Sequence, residues 1–394
     1  MKSTRSSIAG RKATAGTKTA FFVALGVSTA LAVTTHPSDS ATAAPAPATR
    51  TAAQVYTPAP APVSPQEATA QRILEARIAS IGREFNGDVG IAVKDIQTGY
   101  VTHYDGASHF PQQSVSKFWV SLTALDKQDR GELDLSAPVT VRKSDLTLFN
   151  QPIAGRIGPD GYNTTLSSLL QTAMQKSDNT ANDFVLRRAG GPDAVRDFLT
   201  RKGIDGIRFG PGERLMQSAI AGISWNPAFS TGNGFYAARS AVPQDVRRAA
   251  FNRYVSDPVD GATPVGVVNA LARLKKGELL SPASTARILS IMSNTSTGPQ
   301  RLKGGLAPGW SLAHKTGTGQ VLGAVQSGYN DIGIVTSPDG KSYSVAVMIR
   351  QTSAPIIQRM QMMQSVTRAV IDYDRNIGGY GVAAAAGGYS GTRK

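Results

Sequence analysis

The sequence has no cysteine among its 394 residues and only four histidines, at positions 36, 103, 109 and 314. The absence of cysteine excludes a disulfide scaffold, a thiol nucleophile and any zinc or iron–sulfur site with cysteine ligands. The histidines are scattered and never form an HExxH or similar paired spacing, so the sequence offers no metal site built from histidine. We therefore predict a protein that works without a metal ion or another cofactor.

Acidic residues are also scarce. The chain has 27 Asp and Glu and 42 Lys and Arg, which gives a formal net charge of +15. Such an excess of positive charge can attract nucleic acid, but the chain has no stacking or groove-reading motif. Residues 1–43 hold five basic residues and one acidic residue, so the chain without them carries +11. We predict no nucleic-acid partner and assign the remaining charge to the general surface field and to anionic substrates.

The first 43 residues have the composition of a secretory signal peptide. Basic residues without any acid precede an apolar run over residues 21–33, and Ala-Thr-Ala at residues 41–43 offers a cleavage site. The run is shorter than the roughly 20 apolar residues that a membrane-spanning helix needs. The prediction is a secreted or periplasmic bacterial protein without membrane contact after cleavage, and the alternative is an uncleaved membrane anchor.

Composition also limits the folded part of the chain. Residues 44–65 are rich in Ala and Pro and indicate an extended linker, whereas residues 376–394 hold six Gly and four Ala and indicate a disordered tail. Residues 66–375 remain, and we predict that they form one folded unit.

Strand patterns occur near both ends of this unit, and helical patterns dominate its middle. The prediction is an α+β fold, in which one antiparallel sheet is built from both chain ends and is flanked by the terminal helices. Residues 66–110 and 300–375 would form this α/β lobe, and residues 111–299 a central all-α lobe. The cleft between two lobes is a natural place for a site.

Ser114 and Lys117 lie three residues apart at the start of a predicted helix over residues 115–130, so they share one helix face. A helix N-terminus favours negative charge. A serine hydroxyl becomes a nucleophile when a base takes its proton, and a lysine can be that base if burial or positive neighbours lower its pKa. Taken alone, the spacing is common by chance, and the pair fits an N-cap serine and a surface lysine better than a catalytic pair.

Two further motifs follow, Ser-Asp-Asn at residues 177–179 and Lys-Thr-Gly at residues 315–317. Alone, the first fits a loop with a helix cap, and the second fits a polar strand whose glycine allows close backbone approach. In this order, the three motifs are the signature set of class A β-lactamases and penicillin-binding proteins. The chain resembles that family from about residue 69 to 375, and Asn-Asp at residues 330–331 resembles its extended-spectrum subset.

The resemblance implies a β-lactamase/transpeptidase-like fold and a serine acyl-transfer site. Ser114 would attack the amide carbonyl, and Lys117 and Ser177 would pass protons to the leaving nitrogen. The backbone N–H groups of Ser114 and Thr318 would form the oxyanion hole. The implied substrate-binding residues are Asn179, Lys315, Thr316, Gly317, Thr318, Phe149 and Gln217. Since residues 316–340 contain no Lys or Arg, the substrate carboxylate is expected to depend on the Lys-Thr-Gly strand.

Deacylation distinguishes a lactamase from a transpeptidase, and in class A enzymes a glutamate holds the water. Glu213 lies 36 residues after Ser177, where the resemblance expects this glutamate. Gln217 stands where the family usually has Asn, and it keeps the amide chemistry that can hold the water. The stretch of residues 218–260 is longer than is usual in the family and could widen or cover the cleft. The base that activates the nucleophile can be Lys117 or Glu213.

The predicted function is therefore hydrolysis of the β-lactam amide of penicillins and cephalosporins by a monomer. A Ser114 acyl-enzyme would form and would be deacylated by water that Glu213 activates. The alternative is a D-Ala-D-Ala carboxypeptidase or penicillin-binding protein with slow deacylation, and Glu213 is the discriminating feature. A non-catalytic module that binds cell wall or an anionic polymer is a third hypothesis, but it leaves the nucleophile unexplained.

Overall fold

The computed structural model describes residues 63–378. The predicted signal peptide, nearly all of the predicted linker and most of the predicted tail lie outside these residues. The α-helices are α1 (Pro65–Glu84), α2 (Lys117–Asp129), α3 (Leu166–Gln175), α4 (Asn179–Arg188), α5 (Gly191–Arg201), α6 (Glu213–Ile220), α7 (Gly234–Ala241), α8 (Gln244–Ser256), α9 (Pro264–Lys275), α10 (Pro282–Ser293) and α11 (Ile356–Gly378). The strands are β1 (Asp88–Asp95), β2 (Val101–Tyr104), β3 (Phe110–Pro111), β4 (Pro138–Val141), β5 (Tyr162–Thr165), β6 (Gly261–Ala262), β7 (Ser311–Thr318), β8 (Val321–Leu322), β9 (Val325–Thr336) and β10 (Ser342–Thr352).

The main sheet is antiparallel and has the strand order β2-β1-β10-β9-β7, with β8 paired to β9. Strands from the two chain ends meet where β1 pairs with β10, for example at Val93 and Val345. This arrangement confirms the predicted α+β fold with a sheet built from both ends of the chain. Strand β7 lies at the edge of the sheet, and its register with β9 places Lys315 opposite Ile332.

The side chains of the sheet alternate between two cores, as the period of a strand requires. Val89, Ile91 and Val93 pack on the side that α1 and α11 cover. Ala92 and Met348 point the other way and join the core of the helical lobe. The sheet is therefore buried on both faces, with the terminal helices on one face and the helical lobe on the other.

The central lobe is mainly helical, and α2 forms its centre with every residue from Lys117 to Asp126 buried. It also contains two short antiparallel pairs, β3 with β6 and β4 with β5, which the sequence did not predict. Helix α9 packs on the sheet, where Ser344 Oγ donates to Val268 O at 2.8 Å. The two lobes therefore share one core, and the segments that precede Ser114 and α9 are joined by β3 and β6.

The terminal helices extend slightly beyond the folded unit predicted from composition. Helix α1 begins at Pro65, and the side chain of Ser64 caps it by accepting from the Glu67 backbone N–H. Helix α11 continues to Gly378, because Asn376 O accepts from Gln66 and Ile377 packs on the core beneath α1. None of the helices within residues 63–378 has both the length and the apolar character that a membrane crossing requires.

Two isoleucines on α1 test how much this packing stabilises the fold. Ile78 is 0% exposed and Ile73 is 52% exposed. Substitution Ile78→Ala leaves a cavity beneath the sheet and should lower the free energy of unfolding by about 2–5 kcal/mol. The matched change Ile73→Ala should alter it by less than about 0.5 kcal/mol. Urea denaturation measures both, and equal losses would contradict the position of α1.

Candidate active site

The turn before α2 contains a strained residue, Gln113, immediately before Ser114. Residues Gln113–Ser116 form a 3-10 turn, and Gln113 has φ of 53°, a left-handed value that costs a non-glycine residue about 1–3 kcal/mol. Two contacts hold Gln113 in place. Its backbone N–H donates to Asp260 Oδ2 at 2.8 Å, and its side chain donates to Tyr254 OH at 2.6 Å. The nucleophile candidate is therefore fixed from the side of residues 254–260.

Lys117 lies between Ser114 and Glu213. Its Nζ donates to Ser114 Oγ at 2.7 Å and forms an ion pair with Glu213 Oε1. The lysine is fully buried and the glutamate is 3% exposed. A buried charge is tolerated only when it is paired and hydrogen-bonded, and this contact satisfies both charges. The arrangement places an ammonium group against the serine hydroxyl and links it to a carboxylate that can take a proton from the lysine.

Gln217 lies one helical turn after Glu213 on α6 and contacts its second carboxylate oxygen. Gln217 Nε2 donates to Glu213 Oε2 at 3.2 Å and to Gln113 Oε1 at 2.9 Å. Its own carbonyl oxygen accepts from Gln320 at 3.0 Å. The side chain with one extra methylene therefore still reaches the glutamate, and it connects α6 to the loop after β7.

The second and third motifs meet at the opposite side of the nucleophile. Lys315 Nζ donates to Ser177 Oγ at 2.9 Å and to Thr316 O at 2.8 Å. Lys315 is fully buried, and burial together with the nearby cations Lys117 and Arg301 lowers its pKa well below the usual value. Ser177 has φ of 56°, a strained conformation that turns it out of the loop before α4. The two motifs thus place a hydroxyl and an ammonium group beside Ser114.

Asn179 and Phe149 lie next to each other on the helical side of the cleft. Asn179 Nδ2 donates to Leu148 O at 2.8 Å, so the amide is held by the residue that precedes Phe149. Phe149 has φ of 59°, and its partly exposed ring packs edge-on against Phe235 with the ring centres 4.9 Å apart. The aromatic side chain predicted as a cleft wall lies in the cleft.

The edge of the sheet faces the nucleophile. Along an antiparallel strand, the N–H and C=O of one residue point to the same side, and those of the next residue point to the other. His314 O points away from β9 and accepts from Thr295 Oγ1 at 2.8 Å, whereas Gly319 N–H donates to Gly328 O at 2.8 Å in the paired hairpin. The N–H of Thr318 therefore points to the open edge of β7.

Gly317 allows this edge to approach the nucleophile. A Cβ at this position would lie 2.3 Å from the backbone oxygen of Gln112, two residues before Ser114. Backbone cannot move aside as a flexible side chain can. The glycine of the Lys-Thr-Gly motif is therefore required by the contact between β7 and the segment that carries the nucleophile.

The predicted site residues surround one cleft of about 570 Å³, a size typical of small-molecule sites. Those that line it are Ser114, Phe149, Ser177, Asn179, Gln217, Thr316 and Thr318. Lys117, Glu213, Lys315 and Gly317 lie directly behind them, in contact with these residues or with the nucleophile segment. The structure thus brings together residues from three motifs and two loops that are far apart in the sequence.

Arg301 also lines the cleft, and the sequence did not predict it. Its guanidinium donates to Gly317 O at 2.9 Å, Asn330 O at 2.6 Å and Thr318 Oγ1 at 2.6 Å, and it lies 3.8 Å from the centre of the Tyr329 ring. A guanidinium thus lies beside the Lys-Thr-Gly strand that is expected to bind the substrate carboxylate. Arg301 lies outside residues 316–340, because it precedes β7 in the sequence. Only the folded chain brings it to the cleft.

Two buried aspartates near Glu213 were missed as well. Burial, followed by the charge of Glu213, raises the pKa of Asp183 to about 6, and its Oδ1 accepts from the Glu213 backbone N–H at 3.3 Å. Burial also raises the pKa of Asp260 to about 6. Asp260 accepts from Gln113 N–H and Tyr254 OH and has no arginine partner among residues 63–378. The carboxylate of Asp260 is therefore held by one backbone donor and one hydroxyl donor.

Known proteins share the fold. A family model described as "Beta-lactamase enzyme family" matches residues 72–373. The chain is 25% identical over 303 residues to β-lactamase VEB-1 of Pseudomonas aeruginosa, covering 77% of this chain and 91% of that protein. It is 29% identical over 293 residues to the extended-spectrum β-lactamase PER-1 of Pseudomonas aeruginosa, covering 73% and 83%. The crystal structure of the TLA-1 extended-spectrum β-lactamase matches with a TM-score of 0.64 at 27% identity, covering 77% of this chain and 99% of that one. A β-lactamase from Chitinophaga pinensis matches with a TM-score of 0.63 at 26% identity, covering 76% and 98%.

The raised pKa of Asp183 predicts how stability depends on pH. The folded protein holds this pKa at about 6 against 3.8 for the ordinary carboxyl, so the folded state binds the proton more tightly. The resulting stabilisation is complete below about pH 4 and is lost as the pH rises through 6. Substitution Asp183→Asn keeps the acceptor oxygen without the charge, so it should raise the free energy of unfolding at pH 7.5 by about 2–3 kcal/mol and leave it nearly unchanged at pH 4.

Urea denaturation at both pH values checks this prediction. The matched change Asp160→Asn, at an exposed aspartate, should have little effect at either pH. A gain for Asp183→Asn that is as large at pH 4 as at pH 7.5 would show that the charge of Asp183 is not the cause.

Proposed function

The chain belongs to the β-lactamase enzyme family, and since its relatives are class A serine enzymes, it is a hydrolase of β-lactams. We propose that its catalytic centre is built around Lys117. The observation that carries this proposal is the position of the buried lysine, which contacts both Ser114 Oγ and Glu213. One group is thereby in contact with the nucleophile and with the base expected for deacylation. The comparisons do not favour the carboxypeptidase alternative.

In acylation, Ser114 Oγ attacks the β-lactam carbonyl carbon. Glu213 first takes a proton from Lys117, and the neutral amine then accepts the proton of the Ser114 hydroxyl, so both residues take part in activating the nucleophile. The C–N bond of the ring then breaks. The leaving nitrogen takes a proton from Ser177 Oγ, Lys117 returns a proton to this hydroxyl, and Glu213 gives its proton back to Lys117, which restores the ion pair and leaves an ester on Ser114.

The negative charge on the carbonyl oxygen is stabilised by the backbone N–H groups of Ser114 and Thr318. The open edge of β7 supports this role, because the Thr318 N–H points away from β9. The contact at Gly317 sets the distance between the two donors. Losing one donor of an oxyanion hole typically costs about 10²–10³ in rate.

In deacylation, Glu213 removes a proton from the attacking water, and Gln217 orients the pair. The hydrogen bond between Gln217 and Glu213 supports this assignment. Water adds to the ester carbonyl, the bond to Ser114 Oγ breaks, and the serine recovers a proton from the glutamate. This second step makes the reaction a hydrolysis.

The carboxylate on the substrate ring binds to Lys315, Thr316, Thr318 and Arg301. Arg301 donates to Thr318 Oγ1, so a carboxylate that contacts this threonine also meets the field of the guanidinium. Asn179 binds the amide of the substrate side chain, and Phe149 forms an aromatic wall. All residues with an assigned role lie within residues 63–378 of one chain, which supports action as a monomer.

We also propose that residues 1–43 direct export, that residues 44–65 form a linker and that residues 66–375 form the catalytic unit. The basic and apolar composition of residues 1–43 supports export. The relatives are bacterial β-lactamases, which supports a secreted or periplasmic enzyme.

The role of Glu213 is tested by mass spectrometry of the enzyme after mixing with benzylpenicillin. The wild-type protein should turn over and show little adduct, whereas Glu213→Gln should accumulate an acyl-enzyme because the water is no longer activated. The control Glu75→Gln, at an exposed position, should behave as the wild type, and Ser114→Ala should form no adduct. A wild-type adduct that lasts for hours would overturn the assignment of rapid deacylation.

The role of Arg301 is tested by comparing benzylpenicillin with its methyl ester, which lacks the carboxylate. Substitution Arg301→Gln removes the positive charge and should lower kcat/KM for the acid by about tenfold or more, since a charge-assisted contact is lost. The ester should lose much less. If the acid and the ester lose equally, Arg301 acts by holding β7 in place and not by binding the carboxylate.

A further inference from the structure

The long stretch of residues 218–260 forms part of the cleft wall. Helix α7 lies within this stretch, and Tyr236 and Arg239 of α7 line the same cleft as Ser114. The two residues are three apart on a helix, so they share one face. The guanidinium of Arg239 lies 5.4 Å from the centre of the Tyr236 ring. The stretch that was expected to widen or cover the cleft therefore supplies an aromatic and a cationic group to it.

The anchoring of α7 is well defined. Phe235 is 2% exposed and packs with Leu148 and Ala221 in a small apolar cluster. Its ring contacts Phe149 edge-on at 4.9 Å between centres. Gln151 Nε2 adds a hydrogen bond to Ser230 O at 3.0 Å just before the helix. Because α7 is held on both sides, the face that carries Arg239 has a fixed position against the cleft.

Among residues 63–378, the charge of Arg239 has no counterion. No carboxylate of these residues lies within ion-pair distance of this arginine, and none of its side-chain N–H groups donates a hydrogen bond to them. The side chain is only half-buried, and aromatic rings cover part of it. No Asp or Glu of the described residues lines the cleft. Its N–H donors are therefore available for an anionic partner, and none of the residues that line the cleft carries a negative charge.

The position of Arg239 in the cleft identifies which part of a substrate it meets. Arg301 lies beside Thr318, at the sheet side where the ring carboxylate is assigned. Arg239 lies on the helical side, where α7 contacts Phe149 and where Asn179 is held by Leu148. The substrate amide is assigned to Asn179, so the acyl side chain beyond it extends toward α7. The cleft thus has one arginine at the ring carboxylate and another at the acyl side chain.

We propose that Arg239, supported by Tyr236, forms a subsite for a carboxylate on the acyl side chain of the β-lactam. This inference rests on the proposed function, since it takes the direction of the substrate from the assigned roles of Asn179 and Arg301. It makes β-lactams that carry a second carboxylate, in addition to the one on the ring, the preferred substrates of this cleft.

Matched substrate pairs test the subsite at two distances from the reacting carbonyl. The near pair is carbenicillin and benzylpenicillin, which differ by one carboxylate on the benzyl carbon. The far pair is cefixime and cefdinir, which share the same 3-vinyl cephem and aminothiazole and differ by a carboxymethyl group on the oxime oxygen. Substitution Arg239→Gln should lower kcat/KM by about tenfold or more for the dianionic member of at least one pair, and by less than about threefold for its partner. Arg239→Lys should retain part of the preference, and added salt should weaken it in the wild type.

A control variant tests whether the position of the charge matters. Arg253→Gln removes the same charge from an exposed residue of α8 that does not line the cleft, and it should leave the ratio within each pair unchanged. If Arg239→Gln lowers turnover of all four substrates equally, or of none, the subsite is overturned while the proposed function stands. If the wild type hydrolyses no member of either pair and Ser114→Ala behaves identically, the proposed function itself fails.

Discussion

The ion pair between Lys117 and Glu213 is the interaction on which the rest of the site depends. Both side chains are withdrawn from water, and two charges inside a protein persist only when they are paired and their remaining hydrogen-bonding capacity is used. The lysine uses this capacity on Ser114 Oγ, and the glutamate uses it on Gln217. Loss of either charge would leave the other buried without a counterion. The pair thus joins the nucleophile on the turn before α2 to the first residue of α6, so the groups for acylation and deacylation form one electrostatic unit.

Such a unit works only if the backbone around Ser114 stays fixed. Two sets of hydrogen bonds hold the segment before Ser114 in place. Asp260 accepts from the strained Gln113, while Asn330 on β9 donates to the carbonyl oxygens of Pro111 and Gln112 at 2.7 and 3.0 Å. Gly317 then lets the edge of β7 come into contact with the same segment. The sheet contributes little to the chemistry through its side chains alone. Its larger contribution is a rigid edge, which fixes one backbone donor relative to the hydroxyl that attacks.

Sequence patterns predicted those parts of the structure that short spacings determine. The alternation of Val89, Ile91 and Val93 sufficed for a strand, and the Ser-x-x-Lys spacing sufficed to place both groups on one turn. Arg301 could not be found in this way, because stacking on Tyr329 and contacts with two strands bring it to the cleft, and no local spacing encodes them. The same holds for Asp260, whose role follows from burial and from a distant backbone N–H. Strands β3 and β6 have two residues each, too few to show any period.

The stretch of residues 218–260 shows how recognition can change without disturbing the catalytic unit. The stretch begins directly after Gln217 and ends at Asp260, and both of these residues are bound into the site. Between these positions, the stretch is held by two apolar clusters. Phe235 contacts Leu148 in one, and Phe251 packs with residues of α6 and the β8–β9 hairpin in the other. Because this packing does not use the buried ion pair, side chains on the cleft face of α7 are free of any catalytic constraint. A charge such as that of Arg239 can therefore determine which acyl side chains bind while the geometry around Ser114 stays fixed.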